Sequence, residues 1–166
     1  MTSPESGGRR VALWLRNAAI AGVCGMAAQS SLMAMRRLLG ILPDFQPYAD
    51  LQRLVTELVG ASLAAGLWWL LPVVSGALVW SSIFAWAYDR IPGRTALGKG
   101  LLVTAFAWCL TGFVIMPMLG HGVFAVRAGA SIGPALMMLA MLATYCLTLS
   151  LVYGRLKRGE MKPGSA

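Results

Sequence analysis

Four long apolar stretches that contain no Asp, Glu, Lys or Arg constrain the fold of this chain more than any other feature. A helix needs about 20 apolar residues to cross the hydrocarbon core of a bilayer, and it satisfies its own backbone hydrogen bonds there. The stretches therefore predict an all-α polytopic membrane protein, an up-down bundle of four transmembrane helices. The predicted spans are approximately residues 17–35, 67–88, 101–119 and 132–153.

The composition supports a membrane protein. Of the 166 residues 58% are hydrophobic and only 12% are charged, and the mean hydropathy is +0.70. A soluble domain of this size needs more polar surface to cover its core. The net charge is +8, but the basic residues form short clusters between the apolar stretches. This distribution argues against nucleic acid and favours anionic lipids as the counter-charge.

The basic residues also orient the predicted bundle. Ten of the fourteen lie before the first span, between the second and third, or after the fourth. By the positive-inside rule, both termini are cytoplasmic, and we expect a bacterial inner membrane. The predicted organisation is a basic tail (1–16), a transmembrane domain (17–153) and a second basic tail (154–166). We expect the first span to be retained; a cleaved signal peptide is the alternative.

The longest connection joins the first span to the second, and part of it has a helical pattern. Leu51, Leu54, Val55 and Leu58 recur at the spacing of one helix face. We therefore expect a short amphipathic helix over about residues 50–60, lying on the outer face of the membrane.

Small residues spaced four apart mark the predicted contacts between spans. Helices in lipid associate by close packing of small residues and by a few hydrogen bonds. Gln29 is expected to bond across helices, because an exposed amide is costly in hydrocarbon. The alternative is a polar lining for a solute path. The predicted packing and polar-interior residues are Gly22, Gly25, Gln29, Ser30, Ala77, Ser81, Ala85, Gly112, Ala140 and Thr144.

The only histidine, His121, follows a Met-Pro-Met triplet at the end of the third span. Thioether and imidazole groups together suit Cu(I), so a soft-metal site is one interpretation. The other, which we favour, is a helix end, because Pro117 breaks the helix and Gly120 allows the turn. We therefore predict no metal and no cofactor. The alternative metal set is Met116, Met118, His121, Met33 and Met35.

No catalytic pattern is visible in the sequence, which has no Ser-His-Asp set, no paired carboxylates and no phosphate-binding glycine loop. We therefore expect a non-enzymatic accessory or assembly component that acts through helix contacts. Its expected partners are the phospholipid bilayer, anionic lipids at the cytoplasmic face, and a second copy or a larger membrane complex. The alternative is an oligomeric permease for a small solute or a soft metal ion, and a membrane-embedded enzyme ranks third.

Three motifs carry a family resemblance. They are "YDRIPGR" followed by "GKG", then "MPMLGHGVFA", and finally "LVYGRL". The region of residues 75–153 resembles a family of small uncharacterised four-helix bacterial inner-membrane proteins. The resemblance covers about the C-terminal half of the chain. It implies the four-helix topology and a Pro-Met-x-Gly-x-Gly-x-Phe turn as a fold element, and it implies no activity.

Overall fold

A computed structural model describes residues 4–41, 56, 74–124 and 132–160 of the chain. Every regular element within these residues is helical, as the sequence predicts. Two helices contain a π-helical turn, Ser75–Trp80 and Thr111–Ile115, and each continues directly into an α-helix. The helices are α1 (Pro4–Leu38), α2 (Ser75–Ala87), α3 (Ala96–Met118) and α4 (Gly133–Glu160).

Three of these helices are long and apolar enough to cross a membrane. The candidate spans are Val11–Leu38, Ala96–Met118 and Gly133–Glu160, while α2 is a shorter apolar helix. The sequence-based prediction of an all-helical chain is therefore confirmed for the described residues, and three of their helices have the length and apolar composition of membrane spans. The beginning of the second predicted span lies outside them. So does the predicted amphipathic helix near residues 50–60, apart from Thr56.

Helix α1 begins thirteen residues before the predicted span and includes most of the basic tail. Its far end is closed by two backbone hydrogen bonds, from Gly40 N to Arg37 O at 3.2 Å and from Ile41 N to Arg36 O at 3.1 Å. Gly40 has a φ of +64°, a conformation that glycine adopts without a Cβ penalty. This pair of bonds is a Schellman motif, which ends a helix and satisfies its last carbonyls.

Helix α4 runs antiparallel to α1. Near the start of α1, Asn17 Nδ2 donates to Glu160 Oε1 at 2.9 Å, close to the end of α4. Further along α1, a Cβ built on Gly25 would lie 2.9 Å from the ring of Tyr145. Residue numbers rise along α1 as they fall along α4, so the two helices point in opposite directions.

Helix α3 also packs antiparallel to α4. At the start of α3, the carbonyl of Ala96 accepts a hydrogen bond from Ser150 Oγ of α4 at 2.6 Å. Closer to the end of α3, Trp108 Nε1 donates to the carbonyl of Ala135, near the start of α4, at 3.1 Å. Because α1 and α3 both pack on α4, α4 is the central helix of the described bundle.

Helix α2 packs against α1 in the opposite direction and against α4 in the same direction. A Cβ on Gly22 would lie 2.8 Å from Ser81 Cβ, and one on Gly76 would meet the thioether of Met26. The Tyr145 hydroxyl of α4 donates to Gly76 O. The starts of α1 and α3 and the ends of α2 and α4 therefore share one end of the bundle, which we call the tail end. We call the opposite end the far end.

The core lies where α1, α2 and α4 meet, toward the tail end. Small residues of α1 leave space that large side chains of α2 and α4 fill. Such close packing is expected of helices in lipid, because burying apolar side chains gives them no hydrophobic gain there. The buried members of this core are Ala18, Ala21, Phe84, Ala85, Tyr145, Cys146, Leu149 and Tyr153.

Replacing glycine with alanine should change the stability of the bundle in opposite directions at two positions of α1, because only one of the two lies at the contact with α2. In Gly22→Ala, the added methyl group overlaps Ala77 O and approaches Ser81 Cβ. We expect a loss of about 1–3 kcal/mol in the free energy of unfolding, as for an overpacked core. In Gly8→Ala, nothing lies within 4 Å of the new Cβ, so the helix gains up to about 1 kcal/mol. Unfolding in mixed detergent micelles, followed by far-UV circular dichroism, measures both. Equal shifts for the two variants would contradict the packing.

Candidate functional site at the tail end

Three aromatic rings from α2 and α4 pack edge-on at the tail end. The centroids of Tyr88 and Tyr153 are 5.0 Å apart, and Phe84 lies 5.6 Å from Tyr88 and 6.2 Å from Tyr153. All three pairs have the T-shaped geometry that aromatic quadrupoles favour. A Cβ on Gly154 would lie 2.6 Å from the Tyr88 hydroxyl, so the absence of a side chain at Gly154 makes room for this ring.

Lys99 connects α3 to the end of α2. Its Nζ donates to Tyr88 O at 2.5 Å and lies 4.2 Å from the centroid of the Tyr88 ring. A cation at a helix C-terminus is favourable because the last carbonyls carry partial negative charge, and the ring face adds a cation–π interaction. The position of Lys99 follows from the start of α3, where the Thr95 side chain caps the helix by accepting from Gly98 N at 3.1 Å.

Lys157 forms the connection between α4 and α2. Its Nζ lies 2.5 Å from Asp89 Oδ1 and 5.6 Å from the centroid of the Tyr88 ring. The ring of Tyr88 is therefore close to two ammonium groups, one from α3 and one from α4. The carboxylate of Asp89 neutralises one of them.

Asn17 and Glu160 connect α1 to the end of α4. Asn17 is only 2% exposed, and its amide donates to Glu160 as described above. Arg16 Nη2 lies 3.3 Å from the same oxygen, Glu160 Oε1, and also 3.3 Å from Asn17 Oδ1. A buried amide thus has a donor and an acceptor, as buried polar groups require.

We call Asn17, Tyr88, Asp89, Lys99, Tyr153, Lys157 and Glu160 the tail-end cluster. It joins all four helices through charges and rings. Within the described residues both of its carboxylates accept hydrogen bonds, Asp89 from Lys157 and Glu160 from Arg16 and Asn17. The arrangement holds the ends of the helices in fixed relative positions.

Sequence reasoning does not identify the Tyr88–Tyr153 ring contact or the Asp89–Lys157 and Asn17–Glu160 pairs. Members of these pairs are 68 and 143 residues apart. The one available signal is the Tyr-x-Arg motif that occurs after both α2 and the apolar part of α4.

Three of the predicted packing residues, Gly22, Ala77 and Ser81, meet at the α1–α2 contact. Gly22 meets Ala77 and Ser81. Ala77, Ser81 and Ala85 are all buried. Gly25 lies instead against Tyr145 of α4, so the two glycines of α1 face two different helices.

The predicted packing residues of α3 and α4 are placed differently from one another. Gly112 is buried and directly contacts the ring of Phe124. Ala140 is exposed, and Thr144 is half-buried with its hydroxyl donating to Ala140 O at 2.8 Å. The buried face of α4 consists mainly of larger residues such as Met138 and Leu149. Ala140 and Thr144 therefore lie beside this face and do not form it.

Gln29 is half-buried and Ser30 is exposed. The three buried Ser and Thr side chains of the described residues each donate to a backbone carbonyl. Ser81 donates to Ala77 O at 2.5 Å and Thr104 to Gly100 O at 2.8 Å, while Ser150 caps Ala96 O as noted above. These three hydroxyls donate their hydrogens within the helical framework.

The far end holds the residues considered for a metal. Met116 is 2% exposed and packs with Met138, whereas Met118 is 65% exposed. Met33 is half-buried and Met35 exposed, both on α1. In the alternative metal set, neighbouring methionines along a helix thus differ in exposure. No group of three His, Cys, Asp or Glu side chains within the described ranges could hold a metal ion.

The Met-Pro-Met-Leu-Gly-His segment closes α3. Gly120 N donates to Pro117 O at 3.0 Å and His121 N to Met116 O at 3.1 Å. Gly120 has a φ of +80°. This is the same Schellman arrangement that ends α1, so a helix end accounts for the proline and the first glycine. The side chain of His121 is half-buried beside it.

Comparisons with known proteins extend the family resemblance. The model of a family of unknown function, DUF6789, matches residues 14–162. This match covers α1 as well as the C-terminal half to which the sequence resemblance was limited. No curated protein and no solved structure matches the chain.

The tail-end cluster predicts that the ammonium group of Lys99 stabilises the bundle. Lys99→Met keeps the aliphatic stem but removes the hydrogen bond to Tyr88 O and the cation–π contact. We expect a loss of about 1–2 kcal/mol in the free energy of unfolding. The matched control is Arg37→Met at the far end, where the side chain is exposed; its effect should stay within about 0.5 kcal/mol. Detergent unfolding curves compare the two, and a Lys99→Met effect no larger than the control would contradict this role.

Proposed function

Since the chain belongs to the DUF6789 family, whose function is unknown, we propose its role from its own geometry. It is a non-enzymatic accessory or assembly component of a bacterial inner membrane that acts through helix–helix contacts. Its partners are the bilayer with its anionic lipids, and a second copy or a larger membrane complex.

In this proposal the chain crosses the membrane four times, with both termini in the cytoplasm. Two observations support the topology. The described helices alternate in direction, so that α1 and α3 begin, and α2 and α4 end, at the tail end. The described basic residues that precede the first span, lie between α2 and α3 or close α4 belong to this same end, and cytoplasmic loops are enriched in Lys and Arg.

The hydrogen bonds of the buried hydroxyls are the observation that favours an accessory component over a permease. A solute path across a bundle needs polar groups that are available to the solute. Ser81, Thr104 and Ser150 instead donate to backbone carbonyls at 2.5–2.8 Å. The Tyr145 hydroxyl does the same across helices. Ser150 and Tyr145 donate to carbonyls of neighbouring helices and so hold helices together, whereas Ser81 and Thr104 bond to the preceding turn of their own helix.

The exposed apolar faces supply the surface for partners. Only 17% of the apolar stretch of α3 is buried within the chain, against 39% for α4. Phe106 and Phe113 of α3 are 68% and 58% exposed. Aromatic side chains carry much of the contact energy in protein interfaces, so we assign the partner contact to the outer face of α3.

The topology is tested by reporter fusions at each terminus. We expect a green fluorescent protein fused after Ala166 to fluoresce and an alkaline phosphatase at the same position to be inactive, because the first matures in the cytoplasm and the second outside it. Fusions before Met1 should behave identically. Active phosphatase at either terminus would contradict the proposed orientation.

The partner contact is tested by photo-crosslinking in native membranes. A photoreactive amino acid at Phe106 should give discrete protein adducts, because the proposed partner covers this face. The same residue at Leu149, which is 2% exposed, is the buried control and should give only crosslinks within the chain.

Two outcomes of this experiment are informative. Adducts that contain a second copy or another membrane protein support the proposal and name the partner. Lipid adducts alone, at both Phe106 and Phe113, would show that α3 faces only the bilayer and would contradict a helix-contact function on this face.

A further inference from the structure

The chain turns back after α3 and places an aromatic ring against the helix that it has just left. Residues 119–124 include the Schellman motif that ends α3, and Gly122 within them has a φ of +73°. A Cβ built on Gly112 would overlap the ring of Phe124. Gly112 lies six residues before the end of α3, so at about 1.5 Å per residue the ring contacts the helix about 9 Å from its end. We call residues 119–124 the return turn.

Phe124 adopts a backbone conformation that is unfavourable for a residue with a side chain. Its φ is +52°, and it is the one non-glycine residue with a positive φ in the described part of the chain. In this left-handed region the Cβ lies too close to the following carbonyl oxygen. Strain of this kind persists only where the surrounding structure compensates for it, and it is frequent at functional positions. The contacts of the Phe124 ring provide this compensation.

The ring of Phe124 packs against two other aromatic rings, both on α3. Its centroid lies 4.6 Å from that of Trp108 and 4.9 Å from that of Phe113, and the second pair is T-shaped. Trp108 is itself held in place, because its Nε1 donates to the carbonyl of Ala135 of α4. Phe124 therefore links a fixed indole ring to the ring of Phe113.

Phe113 is the exposed member of these three rings. It is 58% exposed, whereas the neighbouring Gly112 is buried against Phe124. Both lie in the π-helical turn Thr111–Ile115, and such turns are frequent at functional sites. An exposed side chain whose rotamer is already fixed loses less conformational entropy when a partner binds. Phe106, the other exposed phenylalanine of α3, has no ring packed on it within the described residues.

We infer that Phe124 is a positioning residue for the partner contact of α3, because its ring holds Phe113 in the orientation that the partner meets. The inference rests on the proposed function, since it takes the outer face of α3 as the contact surface. It deepens that proposal by dividing the surface. The part at Phe113 is preorganised by the return turn, and the part at Phe106 is not.

A double-mutant cycle in native membranes tests this role, with a photoreactive amino acid at Phe106 reporting the yield of the protein adduct. Phe124→Gly should lower the yield about threefold, as expected when one interface side chain loses its fixed rotamer. Glycine accepts the left-handed conformation, so this substitution removes the ring without adding strain to the turn. Phe113→Ala should lower the yield at least as much. Because Phe124 acts through Phe113, the double variant should lose no more than Phe113→Ala alone.

Two further variants control for the state of the return turn. Val123→Ala truncates an exposed apolar side chain of the same turn and should change the adduct yield by less than about twofold. Gly112→Ala displaces the Phe124 ring from the opposite side, because the added methyl group overlaps it. It should reproduce the loss seen in Phe124→Gly, so a folding defect of one variant does not decide the result.

Fluorine NMR of the full chain in detergent micelles reads the orientation of Phe113 without a partner. With a fluorinated phenylalanine at position 113, Phe124→Gly should shift and narrow the resonance, while the resonance of the same label at position 106 stays unchanged. A signal at position 113 that does not respond, or additive losses in the double variant, would overturn the inference. Absence of protein adducts in the unaltered chain would instead contradict the proposed function, and the fluorine signal would still decide whether Phe124 positions Phe113.

Discussion

The close approach of α1 to its neighbours at two glycines is the contact on which the rest of the bundle depends. The absence of a side chain at Gly22 allows α2 to approach closely, and its absence at Gly25 makes room for the ring and backbone of Tyr145 of α4. In a bilayer, helix association gains little from apolar burial, because lipid tails already surround the side chains. The contact distance then decides how much dispersion energy the helices gain. With α1 seated at this distance, Ala18 and Ala21 are fully buried and Phe84 and Leu149 fill the remaining core.

The polar interactions of the molecule are divided by depth. Along the helices, the buried hydroxyls of Ser81, Thr104 and Ser150 donate their hydrogens to backbone carbonyls. At the tail end, full charges connect the helices. Ion pairs and cation–π contacts are less costly there, because headgroups and water compensate desolvation that hydrocarbon cannot. This division suits a protein that presents fixed surfaces to lipid and to other helices.

The predicted packing residues differ in where they lie, and the reason is physical. For α1 and α2 the small residues at four-residue spacing do lie at a helix contact, because both helices approach closely there. For α4 the same pattern at Ala140 and Thr144 lies beside the buried face, which is built from Met138, Tyr145 and Leu149. A membrane helix is apolar on every side, so hydrophobic periodicity does not distinguish the face that meets protein from the face that meets lipid.

The sequence by itself determined the helical class, the apolar stretches long enough to cross a bilayer, and the helix end at Pro117 and Gly120. These depend on local chemistry, namely stretch length, charge exclusion and the conformational freedom of glycine. Only the tertiary structure decided that Lys99 binds the end of α2, that Lys157 pairs with Asp89, and that Asn17 donates to Glu160. Such pairings depend on which helix ends meet in space, and the order of residues along the chain does not specify that.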